Sequence, residues 1–360
     1  MTQSASTNEE ILNSLSGIID PEIGRTLGEL KMLKEVEQTS PESIRVLVDL
    51  PTPAYPNRER ITDAIRNSLA EHSPDVKTID VEFTSEVRGK NSGAAIGLNV
   101  KNIIAVGSGK GGVGKSTIAA SLAYGLKTYG ASVGLMDADV YGPSIPHMTG
   151  THGQPAAKEL TAESGQKVQR IEPLDAHGVK MISMGLFVPE EKAVVWRGPM
   201  LHRAITQFLK DTDWGPLDYL VIDMPPGTGD VSLTLSQSVG LAGAVVVCTP
   251  QNVALLDAVK AINMFQQVNI PVLGIVENMS GEIFGRGGAK QKAEEMGVPF
   301  LGEIPIDASI RVKGDAGEIA KLYADDSPVA GPLRHMCEQT AIQIAKTLLE
   351  TPSMPTLEIL

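Results

Sequence analysis

Residues 107–117 read GSGKGGVGKST, and the segment Gly109–Ser116 fits the pattern G-x-x-x-x-G-K-[ST] in full. An apolar segment, IIAV, precedes this stretch, and a segment with helical periodicity, STIAASLAYGLK, follows it. A strand, a glycine-rich loop and a helix in this order are typical of a loop that wraps the phosphates of a nucleotide. The sequence therefore predicts a nucleotide-binding α/β domain around this loop.

Each residue type in the loop has a physical role in phosphate binding. Glycines let backbone N–H groups turn toward phosphate oxygens, and the following helix presents its positive N-terminus to the same anion. Lys115 is expected to reach the β- and γ-phosphates, and the Ser116 hydroxyl is expected to ligate Mg²⁺. We predict that ATP is held by the whole loop, which consists of Gly109, Lys110, Gly111, Gly112, Val113, Gly114, Lys115, Ser116 and Thr117.

Carboxylates follow two further apolar segments, SVGLMD and LDYLVID. In a doubly wound sheet the carboxyl ends of the strands converge on the nucleotide. We expect Asp223 to meet Mg²⁺ through water, Asp137 to support the same ion, and Asp139 to orient the attacking water. The PPGTG segment after Asp223 predicts a switch in which the Gly227 amide senses the γ-phosphate. Strand-end aspartates also cap turns, which is the alternative interpretation.

Candidate contacts for the nucleotide base lie at two later strand ends. Asn278 belongs to IVENMS, and its amide either reads the edge of adenine or caps a turn. Pro305 and Asp307 belong to IPID, at the matching end of the next strand. We predict that these three residues contribute to the base site.

Apolar strands alternate with helical segments over about 250 residues, which predicts a doubly wound, mostly parallel α/β sheet. The residues before it have their own pattern of helices and strands and predict a small α/β domain. We expect this small domain at 1–86, a Gly-, Asn- and Ser-rich linker at 87–101, the nucleotide-binding domain at 102–350 and a tail at 351–360.

Composition excludes several classes of protein. The chain has 360 residues, 42% of them hydrophobic, and 31 basic against 43 acidic side chains give a net charge of −12. This charge argues against nucleic-acid or anionic-membrane partners. The polar, acidic start and the lack of an 18-residue apolar run predict a cytoplasmic protein. With Cys248 and Cys337 as its two cysteines, one chain cannot supply four thiolates to a cluster. Both are expected to be structural.

Several motifs together resemble the Mrp/ApbC family of iron–sulfur cluster carrier ATPases, part of the MinD/ParA superfamily. The resemblance is colinear from about residue 1 to about residue 340, and it rests on GSGKGGVGKST, DADVYGPSIP, VWRGPM, WGPLDYLVIDMPPGTGD, TPQNVALLDA, ENMS and LGEIPID. It implies ATP hydrolysis by a homodimer in which Lys110 crosses to the partner's nucleotide. It also implies apoprotein targets, and a small iron–sulfur assembly domain that includes the turn Asp20–Glu22.

Two departures from the family bear on the cargo. The family's ENMS is usually followed by an insert with C-P-x-C-G, whose cysteines bridge a [4Fe–4S] cluster between subunits, whereas here Gly281 and Glu282 lead directly into IFGRGG. The family's T-P-A-C-P loop reads TPAYP, with Tyr55 at the position of the thiol. Thiolates hold iron–sulfur clusters. We therefore expect an intact ATPase without direct cluster binding.

Other interpretations of the sequence stay open. A cluster held by Cys337 from two chains would make the protein an ordinary carrier, and an adaptor would bind ATP only to fix its shape. A positioning ATPase of the MinD or ParA type would need a membrane-binding helix or a basic patch that binds DNA. Trp196 and Arg197 form either a switch or interface, or a packed Trp beside a surface Arg.

Overall fold

The computed structural model describes residues 8–73, 75–93, 96–140, 142–161, 167–187, 198–227, 230–324 and 326–350. Within it the chain divides into two compact units, Met1–Arg88 and Gly89–Leu360. Trp196, Arg197 and the predicted tail 351–360 lie outside the described residues. No helix in the described part of the chain is both long and apolar enough to cross a bilayer.

The first unit is a three-stranded sheet with two helices. Its elements are α1 (Asn8–Ser16), β1 (Leu33–Ser40), β2 (Ser43–Leu50), α2 (Arg58–His72) and β3 (Thr78–Ser85). The central strand β2 pairs antiparallel with β1 and parallel with β3. Its alternate residues are buried, and α2 buries Ile61, Ile65 and Leu69. Period-two burial on the strand and helical burial on α2 give this small unit its core.

The second unit is built on an eight-stranded sheet in the order β13-β12-β11-β4-β10-β5-β9-β8. Its strands are β4 (Val100–Gly107), β5 (Val133–Asp137), β8 (Leu174–Ala176), β9 (Val179–Ser183), β10 (Leu217–Asp223), β11 (Gly243–Cys248), β12 (Val272–Ser280) and β13 (Phe300–Pro305). All neighbours pair in parallel except β8, which runs antiparallel to β9. The predicted doubly wound, mostly parallel sheet is confirmed.

Helices cover this sheet, and its central strands are buried along most of their length. The helices are α3 (Lys115–Thr128), α4 (Ile145–Thr149), α5 (Gly198–Asp211), α6 (Asp230–Ser238), α7 (Asn252–Gln267), α8 (Gly288–Met296), α9 (Ala308–Asp315) and α10 (Ala330–Glu350). One buried cluster joins the strands to α5, α6, α7 and α8, while α3 and α10 pack on the sheet and on each other. A separate antiparallel hairpin is formed by β6 (Ala157–Thr161) and β7 (Lys167–Ile171).

Strand register brings the polar strand ends together. In the parallel pairing of β10 with its two neighbours, Asp223 lies opposite Asp137 of β5 and opposite Val106 of β4. The loop that follows Val106 is the glycine-rich segment predicted to bind phosphate. Parallel pairing therefore sets two carboxylates beside that loop, at the edge of the sheet where ligands bind in this class of fold.

Candidate functional site

Backbone conformation explains the glycines of the phosphate loop. Gly112 and Gly114 have φ of +81° and +80°, a region that favours glycine. A Cβ atom on Gly111 or Gly112 would meet no described atom within 4 Å, so the mouth of the loop is open. A Cβ on Gly109 would lie 2.0 Å from the carbonyl oxygen of Asp257, because the loop packs closely against α7 at this residue. The loop is therefore an open backbone cradle held against a helix.

Lys115 bridges the loop to the strand-end carboxylates. Its Nζ lies 2.5 Å from Asp223 Oδ1 and 3.5 Å from Asp139 Oδ2, and its side chain is only 6% exposed. A buried ammonium needs nearby negative charge, since its desolvation is costly. The two carboxylates supply that charge and hold the lysine side chain at the N-terminus of α3. The structure thus brings the lysine of the motif and the two carboxylates together.

The carboxylates of Asp137 and Asp223 are fully buried. Asp137 accepts hydrogen bonds from the Ser183 hydroxyl (2.8 Å) and the Asp139 amide (3.1 Å), while burial and the neighbouring Asp223 raise its pKa to about 8. Burial also raises the pKa of Asp223, although Lys115 and the Ser116 hydroxyl act in the opposite direction. Two such carboxyls so close together favour a nearby cation.

The chemistry of these donors fits Mg²⁺. Asp223 Oδ2 is buried and has no hydrogen-bond partner in the described part of the chain. The Ser116 hydroxyl lies near this carboxylate and acts to lower its pKa. Hard oxygen donors from a hydroxyl and a carboxylate are the ligands, direct or through water, that Mg²⁺ prefers. An unsatisfied carboxylate oxygen beside the phosphate loop is therefore a reasonable place for that ion.

The predicted water-positioning and switch residues both lie at the loop. Asp139 is 7% exposed and accepts a hydrogen bond from the Gly142 amide (3.3 Å) in addition to its ion pair with Lys115. The Gly227 amide donates to the carbonyl of Ser108 at 3.0 Å. In this structure the Gly227 amide thus contacts the residue that directly precedes the phosphate loop.

The three predicted base-site residues share one cavity beside the loop. The cavity has a volume of about 310 Å³, and its lining includes Asn278, Pro305 and Asp307 together with Thr117 and Met279. Asp307 begins α9, where its carboxylate accepts a hydrogen bond from the Ser309 amide at 2.8 Å. Met279 is one of the lining residues that the sequence does not predict, since a methionine at a strand end carries no polar signal.

At the two positions where the family carries cysteines, this chain has a hydrogen-bonded turn and a buried tyrosine. After β12, Gly281 and Gly285 form a turn in which each backbone amide donates to the other's carbonyl at 2.8 Å. In the first unit, the hydroxyl of Tyr55 donates to the carboxylate of Asp20, and both residues are buried. Burial and this carboxylate raise the pKa of Tyr55 well above its ordinary value.

The two cysteines are interior residues. Cys248 and Cys337 are 1% and 0% exposed, and burial raises the pKa of each thiol to about 12. Cys337 contacts the Tyr323 hydroxyl at 3.3 Å. Among the described residues, no group of three or more His, Cys, Asp or Glu side chains could hold a metal ion. Both thiols are therefore enclosed by the packing of the second unit.

An open glycine cradle, a lysine at the start of the next helix and strand-end carboxylates define a P-loop NTPase. Residues 99–341 match the family model described as NUBPL iron-transfer P-loop NTPase, and residues 8–81 match the model described as iron-sulfur cluster assembly protein. The chain therefore belongs to the family of NUBPL iron-transfer P-loop NTPases. The resemblance drawn from the motifs is confirmed.

Named relatives agree with this assignment. An iron-sulfur cluster carrier protein of Deinococcus radiodurans is 47% identical over 96% of this chain and 98% of its own length. A protein of the same name from Synechocystis is 42% identical over 95% and 99%. The iron-sulfur cluster transfer protein NUBPL of Dictyostelium discoideum is 47% identical over 68% and 77%.

Solved structures resemble about two thirds of this chain. A nucleotide-binding protein from Archaeoglobus fulgidus in complex with ADP is 36% identical, with a TM-score of 0.53 over 64% of this chain and 93% of that one. The cell division ATPase MinD of Pyrococcus furiosus is 24% identical, with a TM-score of 0.50 over 66% of this chain and 97% of that one, and it supports the fold alone.

Proposed function

We propose that this protein hydrolyses ATP with Mg²⁺ and acts as a nucleotide-dependent homodimer that serves apoproteins of iron–sulfur assembly. The observation that carries the proposal is the cluster of Lys115 with Asp223 and Asp139 at the phosphate loop. The nucleotide-binding protein from Archaeoglobus fulgidus, which is 36% identical to this chain, was solved with ADP. This supports binding of an adenine nucleotide at this loop.

In the proposed reaction the loop amides and Lys115 bind the β- and γ-phosphates. The phosphates replace Asp223 and Asp139 as the negative partners of the lysine. Asp139, released from that ion pair, accepts a hydrogen bond from the attacking water and orients it. Ser116 and Asp223, with Asp137 beside them, would hold Mg²⁺, which would supply positive charge to the phosphates.

Further features complete the proposal. Asn278, Pro305 and Asp307 bind the adenine base in the cavity that they line. Lys110 reaches the nucleotide of the second protomer, so that hydrolysis requires the dimer, and Gly227 reports the state of the γ-phosphate. The protein works in the cytoplasm. It does not hold a cluster on its own thiols, because both thiols are buried.

Phosphate release by the Lys115→Ala variant tests the site. Loss of the lysine removes the closest cation from the phosphates, and we expect turnover to fall by about 100-fold or more, with weaker ATP binding. Lys127→Ala is the matched control, since Lys127 lies in the last turn of the same helix. It should retain wild-type turnover. Turnover that survives Lys115→Ala would show that this loop is not the catalytic site.

The Asp139→Ala variant separates an ATPase from an adaptor that only binds ATP. An ATPase should bind ATP almost normally in this variant and lose turnover, because the water is no longer oriented. Calorimetric binding and phosphate release, measured on the same preparation, give both quantities. A wild-type protein that binds ATP with no detectable turnover would favour the adaptor.

A further inference from the structure

The end of β12 carries a bulge beside the phosphate loop. In the pairing of β12 with β13, Asn278 lies opposite Ile304 and Ser280 lies opposite Pro305, so one residue between them is extra. That residue is Met279, which has φ of +58°, a left-handed conformation uncommon for a residue with a side chain. Bulges of this kind re-aim side chains and are frequent next to active sites.

Asn278 is tied to the phosphate loop. Its Nδ2 donates to the carbonyl oxygen of Val113 at 2.9 Å, and both residues are at most 4% exposed. A carbonyl oxygen only accepts hydrogen bonds, so the Asn278 amide must present its NH₂ group to Val113. The next residue, Gly114, packs against the same amide, since a Cβ there would lie 2.2 Å from Nδ2. One side chain thus contacts two consecutive residues of the loop.

This hydrogen bond fixes the orientation of the peptide between Val113 and Gly114. A trans peptide is planar, and its C=O and N–H groups point in opposite directions. With the Val113 carbonyl held by Asn278, the Gly114 N–H points to the other side of the loop. Gly114 also has φ of +80° and precedes the first residue of α3, so it is the position at which the loop turns into the helix.

We propose that Asn278 is a positioning residue of the phosphate loop, which it holds in the phosphate-binding conformation before nucleotide enters. The same side chain lines the cavity predicted to hold the base. Base binding and loop conformation are therefore coupled through one amide. This deepens the proposed function and rests on it, but goes beyond the contact with adenine that the sequence predicts for Asn278.

Two variants separate positioning of the loop from reading of the base. Asn278→Asp keeps the size of the side chain and an oxygen that can accept a hydrogen bond from the 6-amino group of adenine, but it cannot donate to Val113. Asn278→Ala removes both. If Asn278 positions the loop, both variants should lower kcat by about tenfold, the factor that one buried hydrogen bond supplies, with a smaller change in KM.

Hydrogen–deuterium exchange of the nucleotide-free protein measures the loop directly. On the millisecond scale we expect faster exchange in the peptide covering 107–116 for both variants. Asn102→Ala is the matched control. Asn102 lies on β4 away from the loop, and its buried Nδ2 also donates a hydrogen bond to a backbone carbonyl, that of Asp218. It should alter stability without changing exchange in 107–116 or kcat.

Each outcome bears on one proposal. Unchanged loop exchange in both variants, with raised KM only in Asn278→Ala, would overturn the positioning role and leave Asn278 as a reader of the base. Faster loop exchange in a protein whose wild type shows no turnover would contradict the proposed ATPase and leave the positioning role supported. Thermal unfolding of each variant shows whether it is folded, and Asn278→Asp carries the test if Asn278→Ala does not fold.

Discussion

Gly281 and Gly285 exchange two backbone hydrogen bonds of 2.8 Å, and these close the chain after β12 in a five-residue turn. Ile283, inside this turn, is 75% exposed. It is at this point of the chain that the Mrp/ApbC resemblance leads one to expect an insert with two cysteines. The turn contains no thiol, and Cys248 and Cys337 are buried elsewhere.

The first prediction is that the protein forms no stable iron–sulfur cluster. Anaerobic reconstitution with iron and sulfide should leave iron well below stoichiometric and no broad absorption near about 400 nm, because exposed thiolates are lacking. The Cys248→Ser, Cys337→Ser double variant is the control, and it should behave in the same way while retaining its ATPase activity. Stoichiometric iron and sulfide that disappear on changing Cys337 would restore the ordinary carrier function.

A second prediction concerns thiol reactivity. Raising the pKa of a thiol from about 9 to about 12 lowers its thiolate fraction at pH 8 by roughly 10³-fold. Iodoacetamide should therefore leave the folded protein unlabelled and label both thiols in guanidinium. Intact mass spectrometry counts the adducts. Rapid labelling of either cysteine in the folded state would show that the thiol is accessible.

Third, the ion pair of Lys115 should stabilise the nucleotide-free protein. Lys115→Met leaves Asp223 buried without its closest cation and should lower the free energy of unfolding by about 3 kcal/mol at pH 7. Adding Asp223→Asn should recover part of this loss, while Lys127→Met should change stability by less than about 0.5 kcal/mol. Denaturant unfolding measures each value, and equal stability of single and double variants would contradict the pairing.

The Lys115→Met variant should also acquire a pH dependence of stability. Burial already raises the pKa of Asp223, and the lysine is what counteracts this rise. A carboxyl with a raised pKa in the folded state favours folding below its unfolded pKa, about 4, and this contribution is lost as pH rises through the folded pKa. The deficit relative to wild type should therefore shrink toward low pH. Asp223→Asn in the same background removes the effect.

A fourth prediction tests whether Lys110 acts across the dimer. Lys110→Ala should bind nucleotide almost normally and lose most turnover. Mixed with Asp139→Ala, it forms dimers in which one composite site carries both changes and the other carries neither. Phosphate release should then exceed that of either parent. Mixed dimers that form and show no recovery would mean that Lys110 acts within its own chain.

The fifth prediction concerns Tyr55 in the first unit. Asp20 is buried and accepts hydrogen bonds from the amides of Glu22 and Ile23 as well as from the Tyr55 hydroxyl. Tyr55→Phe removes the hydroxyl donor and should lower the free energy of unfolding by about 2 kcal/mol, since one buried acceptor loses a partner. Tyr129→Phe, which removes a donor to Glu338, is a control in the second unit. An unchanged stability of Tyr55→Phe would show that water replaces the hydroxyl.

The sequence predicted the phosphate loop and the sheet well, because both depend on local rules. Glycines at fixed spacing and continuous apolar strands need no information from distant residues. Strand β1 was missed, since LKEVEQTS is largely exposed and offers little apolar alternation. The hairpin of β6 and β7 was missed for the same reason, as AKELT and KVQRI carry mixed polar side chains.

The tertiary contacts of the site could not be predicted from sequence patterns. Asn278 and Val113 are far apart in the chain, and their hydrogen bond depends on the order of strands in the sheet. The bulge at Met279 is a shift in register between β12 and β13, and neither segment shows it alone. The burial of Asp137 and Asp223, and hence their raised pKa values, likewise follows from the packing of three strands.

The interior position of both cysteines sets the conditions under which this chain can work. Oxidation by peroxide begins at an accessible thiolate, and soft ions such as Cu(I) bind the same group. With Cys248 and Cys337 fully packed, neither reagent finds such a group in the folded protein. The nucleotide chemistry should therefore persist in air and under oxidative or metal stress, conditions in which a carrier with surface thiolates would lose both its ligands and its cargo.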